Sequence, residues 1–180
     1  ADISLSEDFD LMLAVMNPTD VTEFNFNDKY AFGAQLGYKG QYLNFLSNDG
    51  AFEIDFTGGF DLSETFFLGI NAAYFEADAD SLGFYGAALY PQYATSENFT
   101  IGLRAEYFQE KGSYGAIGTG VEDSSVFATT LTGSYNVGSL TIKPELRLDS
   151  ASDDSSFFLD SDLAPQKSLS SFLLAAIYSF

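Results

Sequence analysis

The chain ends in Phe172-Leu-Leu-Ala-Ala-Ile-Tyr-Ser-Phe180, and the reading of these residues decides the fold. Side chains of a strand alternate between its two surfaces, so Phe172, Leu174, Ala176, Tyr178 and Phe180 share one face. That face is an apolar stripe with aromatic rings at both ends, the pattern of a lipid-facing strand in a membrane barrel. An edge strand of a soluble barrel could show the same alternation. The rest of the chain has to discriminate between them.

Composition narrows the choice. Of 180 residues, 17% are aromatic and only 18% charged, and no stretch approaches the roughly 18 uninterrupted apolar residues that a membrane helix requires. If the chain crosses a bilayer it must therefore do so as a closed barrel, because every backbone amide needs a partner inside hydrocarbon. The 16 glycines, the scarcity of proline and the 11 Tyr and 19 Phe suit strands and tight turns. Cysteine is absent, which removes disulfides and thiolate metal sites. Histidine is absent too, and with it the commonest general base and the usual Ser-His and Cys-His nucleophile pairs. No enzyme and no cofactor are expected. A formal net charge of -19 repels a phosphate backbone, so nucleic acid is not an expected partner.

Working back from the terminus, alternation recurs about ten times. In Phe99 to Tyr107, Phe99, Ile101, Leu103, Ala105 and Tyr107 oppose Thr100, Gly102, Arg104 and Glu106. In Leu140 to Asp149, Leu140, Ile142, Pro144, Leu146 and Leu148 oppose Thr141, Lys143, Glu145, Arg147 and Asp149. Further strands are expected over Phe9 to Met16, Tyr30 to Tyr38, Gln41 to Leu46, Phe52 to Phe60, Phe66 to Tyr74, Leu82 to Tyr93 and Val126 to Tyr135. Ala1 to Leu5 has the pattern of one more. Pro91 and Pro144 donate no ladder hydrogen bond, so a bulge or local unpairing is expected at each.

The connections sort into two sets. With Phe180 at the periplasmic end, Lys39-Gly40, Asp61 to Glu64, Thr95 to Asn98 and Asn136 to Ser139 fall on the same side and are short. The opposite set contains the long segments Asn17 to Lys29, Gln109 to Ser124 and Ser150 to Ser168, with Ser47 to Gly50 and Glu76 to Asp80 shorter. Short periplasmic turns facing longer external loops are the pattern of an outer-membrane barrel. Aromatics flank both sets. Tyr38, Tyr42, Phe60, Phe66, Tyr93, Phe99, Tyr135 and Tyr178 are expected at the periplasmic interface with Phe180 at the terminus, and Tyr30, Phe45, Phe52, Tyr74, Tyr85, Tyr107, Phe127 and Phe172 at the external one. The fold expected is a single domain over residues 1–180, all-β, an antiparallel up-and-down transmembrane β-barrel of about ten strands or a part of a larger one.

Phe67 to Tyr74, Gly102 to Phe108, Leu131 to Tyr135, Pro144 to Asp149 and Phe172 to Phe180, taken in order, resemble the OmpL-like β-barrel porins common in Bacteroidota. The last segment is also similar to the C-terminal strand that the barrel-assembly machinery of Gram-negative bacteria recognises. Members of that family are typically longer, so the resemblance implies the C-terminal portion of a larger barrel. For function it implies passive passage of small solutes across the outer membrane, with no catalytic residues to carry across. Outer-membrane lipid and the assembly machinery are the partners it implies.

Alternation assigns Asp10, Gln35, Glu53, Asp55, Asn71, Gln92, Arg104, Glu106, Lys143, Glu145, Arg147 and Asp149 to the face opposite the apolar stripes. In a barrel this is the lumen. Arg104 and Arg147 opposite Glu53 and Asp55 would set a transverse field and an ion preference; in a narrow barrel the same groups would pair and fill the interior. A non-conducting barrel that docks against another barrel or a lipoprotein is the alternative function. A soluble barrel that holds a lipid inside would need the same alternation with the faces reversed. The acidic runs Glu76 to Asp80 and Asp149 to Asp154, with Asp160 and Asp162, could offer oxygen ligands to Ca2+, though a solvated acidic surface needs no ion. Gly112 to Gly120 is expected to be a flexible loop tip.

Overall fold

The computed structural model describes residues 1–19, 21–22, 25, 28–77, 82–118, 120–152 and 158–180. Among them the strands are β1 Asp2–Ser4, β2 Phe9–Met16, β3 Ala31–Tyr38, β4 Gln41–Asn48, β5 Ala51–Asp61, β6 Phe66–Glu76 and β7 Gly83–Ser96. They continue with β8 Phe99–Lys111, β9 Ser125–Val137, β10 Leu140–Ala151, the short β11 Phe158–Leu159 and β12 Pro165–Gln166, and β13 Ser168–Tyr178. An 11-stranded sheet runs in chain order from β1 through β10 to β13, each strand antiparallel to the next, and β11 pairs with β12 inside the last long connection. This is the up-and-down arrangement that the alternation implies. The sheet is open, with β1 and β13 at its two edges.

Turn chemistry fixes the register. Lys39 and Gly40, at φ 49° and 81°, join Tyr38 to its direct partner Gln41. Asp49 and Gly50, at 50° and 90°, do the same for Asn48 and Ala51. Positive φ at both central residues makes a two-residue turn whose twist matches that of the strands. The β3–β4, β5–β6, β7–β8 and β9–β10 connections, all short, lie at one end of the sheet; the long β2–β3, β8–β9 and β10–β13 connections lie at the other, together with the shorter β4–β5 and β6–β7 ones.

Several boundaries differ from the expectation. β7, β8 and β9 run to 14, 13 and 13 residues, because alternation continues past the last large apolar side chain into Ser, Gln, Glu and Lys. Ala1 to Leu5 does pair: Asp2, Ile3 and Ser4 face Met12, Leu11 and Asp10. At both prolines the expected local unpairing is present, without a bulge. The ladders skip Tyr90 and Pro91 against β8, and Lys143 and Pro144 against β9, without a change of register. On their other sides Pro91 stays opposite Leu68 and Pro144 opposite Leu174. The shift in the β7–β8 ladder lies instead between Ala94 and Ser96.

No thick core separates two layers. The buried apolar residues are mostly small, Ala31, Ala88, Ala128 and Ala151 with Phe158, while Leu131, Leu146, Leu148, Phe172 and Leu174 are 47 to 65% exposed on one face. A contiguous apolar surface of this extent marks contact with a non-aqueous phase or a partner.

Candidate functional site

Direct partners in an antiparallel ladder point to the same side, so the registers sort every strand residue into one of two faces. Phe45, Ile54, Tyr74 and Tyr85 form one row of the apolar face, and Tyr107 lies beside Phe127. At the short-turn end of this face Phe9 packs on Tyr38 with centroids 4.7 Å apart, and Phe99 on Tyr135 at 6.5 Å. Tyr178, opposite Leu140, ends β13 beside the same turns, and Phe180 lies beyond the strand.

Two aromatics fall elsewhere than expected. Tyr42 is opposite Gly37 and Thr57 and so lies on the polar face, where a Cβ on Gly37 would meet its ring at 3.3 Å. Phe172 is on the apolar face but faces Leu146 in mid-ladder, since β13 begins at Ser168. Its row is Leu103, Leu131, Leu146 and Phe172.

The polar face collects Glu53, Asp55, Asn71, Arg104, Glu106, Lys143, Glu145, Arg147 and Asp149. Asn71, Ala88, Glu106, Ala128 and Asp149 stand in one row across β6 to β10. Arg104, Thr130 and Arg147 stand in the next, so the two arginines share a height with one strand between them. Their partners are local. The Arg104 guanidinium pairs with Glu106 of its own strand and lies 5.8 Å from the Tyr90 ring centre. Arg147 donates to Asp149 through Nη2 at 2.7 Å and Nε at 2.8 Å. The arginines therefore do not pair with Glu53 or Asp55: residues two apart on one strand share a face, and a nearer carboxylate wins. Lys143, Arg104 and Arg147 border a recess of ≈ 280 Å³ with Thr130, Thr132 and Glu145.

On the other flank a neutral relay replaces ion pairs. Gln35 donates to Asn44 at 2.7 Å, and Asn44 donates to Asp55 at 2.8 Å. Asn71 donates to the Thr57 hydroxyl at 2.9 Å. Glu53 stands opposite Phe75 and, among the described residues, has no hydrogen-bond or ion-pair partner.

One site residue was not evident from alternation alone. Glu110 continues the polar series of Arg104, Glu106 and Phe108 and is 2% exposed. It accepts from the Ser124 hydroxyl at 2.9 Å and from the Ile117 amide at 3.1 Å. These bonds fold the β8–β9 connection back over the sheet, and its Tyr114 packs on Phe75 and Phe84, 5.3 and 6.0 Å between centroids. The described part of the Gly112 to Gly120 segment is thus tied down, where a free loop tip was expected. The only sequence signal was the uninterrupted period of two running into Glu110.

In the β10–β13 connection Asp160 accepts from the amides of Asp162 and Ala164, both at 2.9 Å, and from Gln166. The Ala164 and Asp162 amides hold its carboxyl below the ordinary value of 3.8. The other expected Ca2+ ligands fall partly outside the described residues, at 78–80 and 153–154. Among the described residues no three acidic groups converge.

No curated protein and no solved structure shows significant similarity to the chain. A family model described as putative beta-barrel porin-2, OmpL-like matches residues 1–180. With an all-antiparallel sheet that sorts polar and apolar side chains to opposite faces, and a family match spanning every strand, the chain belongs to the OmpL-like β-barrel porin family of the outer membrane.

Proposed function

We propose that the chain forms the wall of a pore in the outer membrane of a Gram-negative bacterium of the Bacteroidota, through which small solutes or ions diffuse passively. The observation that carries this reading is the division of one continuous sheet into a face of charged and hydroxyl side chains and a face of Leu, Ile, Phe and Tyr. Water on the polar side and lipid on the other satisfy both. Arg104 and Arg147 are offset by Glu106 and Asp149, so the acidic flank of Glu53 and Asp55 leaves the lumen with negative charge that favours cations. Catalysis has no part in this reading. The lipid contacts the apolar face, and the assembly machinery reads β13 and the terminal residues up to Phe180.

The unpaired edges of β1 and β13 support a larger barrel to which these strands contribute the C-terminal portion. Reconstitution into planar bilayers tests the pore: discrete conductance steps are expected, and protein that inserts without any would overturn it. A second reading, a non-conducting barrel that docks on another outer-membrane protein, draws on β13. Leu169, Leu173 and Ile177, 45 to 57% exposed, make its polar-face side apolar as well. Chemical cross-linking in intact outer membranes tests that reading, which predicts a product above the monomer.

A further inference from the structure

Toward the end that carries the long connections, Leu46, Glu53, Phe75, Phe84 and Glu110 form one row of the polar face across β4 to β8. Beside this row lies a recess of ≈ 410 Å³ bordered by Asn48, Glu53, Phe75, Phe84 and the folded-back Tyr114. Its chemistry is one-sided. Phe75 and Phe84 stack with centroids 5.2 Å apart and Tyr114 tilts against both, so the walls offer aromatic surface. Among the described residues the Glu53 carboxylate has no partner and no Lys or Arg borders the recess. Asn48 donates to the Thr19 hydroxyl at 3.1 Å, while its own carbonyl oxygen accepts nothing. Glu110, the other carboxylate of the row, is already satisfied by Ser124 and Ile117.

The unmet groups are therefore acceptors, one of them charged, beside electron-rich ring faces. A hard metal ion wants several oxygen ligands and gains little from rings. An anion would meet the carboxylate. An ammonium group on an apolar body satisfies both halves, donating to Glu53 while its body and charge lie against the rings. We propose that this recess binds a small organic ammonium ion, the ammonium on Glu53 and the apolar body against Phe75, Phe84 and Tyr114. This rests on the pore reading only in placing the recess on a solute's path.

The probe is phenylethylammonium, titrated calorimetrically into the protein in non-ionic detergent micelles, with 3-phenylpropanoate as a near-isosteric anion. Saturable binding of the ammonium alone is expected. Glu53→Gln, which keeps shape and removes charge, weakens it about tenfold, and Tyr114→Leu weakens it several-fold while Tyr114→Phe retains it. Equal affinity for the two probes, or unchanged affinity in E53Q, would overturn the assignment. Titration needs no ion flow, so the two readings fail separately. Protein that binds but does not conduct loses the pore and keeps this site; protein that conducts with E53Q affinity unchanged loses only the site.

Discussion

Leu131 lies at the middle of β9, Ser125–Val137, on the apolar face with Leu103 and Leu146 as its ladder partners. Val137 ends the same strand beside a short turn, and its parity puts it on the same face. The two positions are six residues apart, about 20 Å along the strand at ~3.4 Å per residue, or about 15 Å of depth for a tilt near 40°. An apolar band about 25 Å tall extends about 12 Å either side of its centre, so Leu131 is at mid-depth and Val137 is at the interface. Arginine at mid-depth costs about 2–4 kcal/mol and near the interface about 0–1. Leu131→Arg is therefore expected to destabilise the folded protein in vesicles by about 2–3 kcal/mol more than Val137→Arg. No carboxylate shares its row to pair with it. The assay is equilibrium guanidinium unfolding in phospholipid vesicles followed by circular dichroism, since the chain has no tryptophan. Penalties equal within about 0.5 kcal/mol would refute the assignment of this face to lipid, because a surface facing water or a protein partner has no such depth profile.

Other consequences follow from single contacts. Glu110→Ala removes the carboxylate that accepts from the Ser124 hydroxyl and the Ile117 amide, a local loss of about 1–3 kcal/mol. Trypsin should then cut after Lys111 at least several-fold faster, and an unchanged rate would show that the connection is held by something else. Gly83 has φ 150° and a Cβ there would lie 2.1 Å from the Phe75 carbonyl oxygen, so Gly83→Ala should separate β6 from β7 at that end. Faster amide exchange at Phe84 and Ala77 would show it, and exchange no faster than in the parent would contradict it. Asp160 gives a pH dependence of determined sign. Its carboxyl is held below the ordinary value by the Ala164 and Asp162 amides, so the turn gains stability above that value and loses it as pH falls through the lower folded one. The Asp162 and Ala164 amide resonances should shift as pH falls below the ordinary value of 3.8, and Asp160→Asn should abolish the shift; an identical profile in the variant would refute the assignment.

How far the sequence reaches is clear from particular residues. The period of two in Phe99 to Tyr107 and Leu140 to Asp149 is a local property of extended backbone, and it determined both the strands and which charged residues share a face. Lys39-Gly40 and the other short connections determined the order of pairing, because a two-residue turn leaves the next strand nowhere else to go. Tyr42 marks where this stops. Both faces of β4 carry large apolar residues, so its parity is settled only by pairing with Gly37 and Thr57. Partner choice among charges was likewise undetermined: several carboxylates were available to Arg104, and the backbone geometry selected Glu106. The folding back of Tyr114 onto Phe75 and Phe84 depends on contacts about 30 to 40 residues apart, which no local pattern encodes. Alternation therefore divided this chain into a wet side and a dry side. The tertiary structure decided which carboxylates are already paired and left Glu53 facing an aromatic recess with no partner among the described residues.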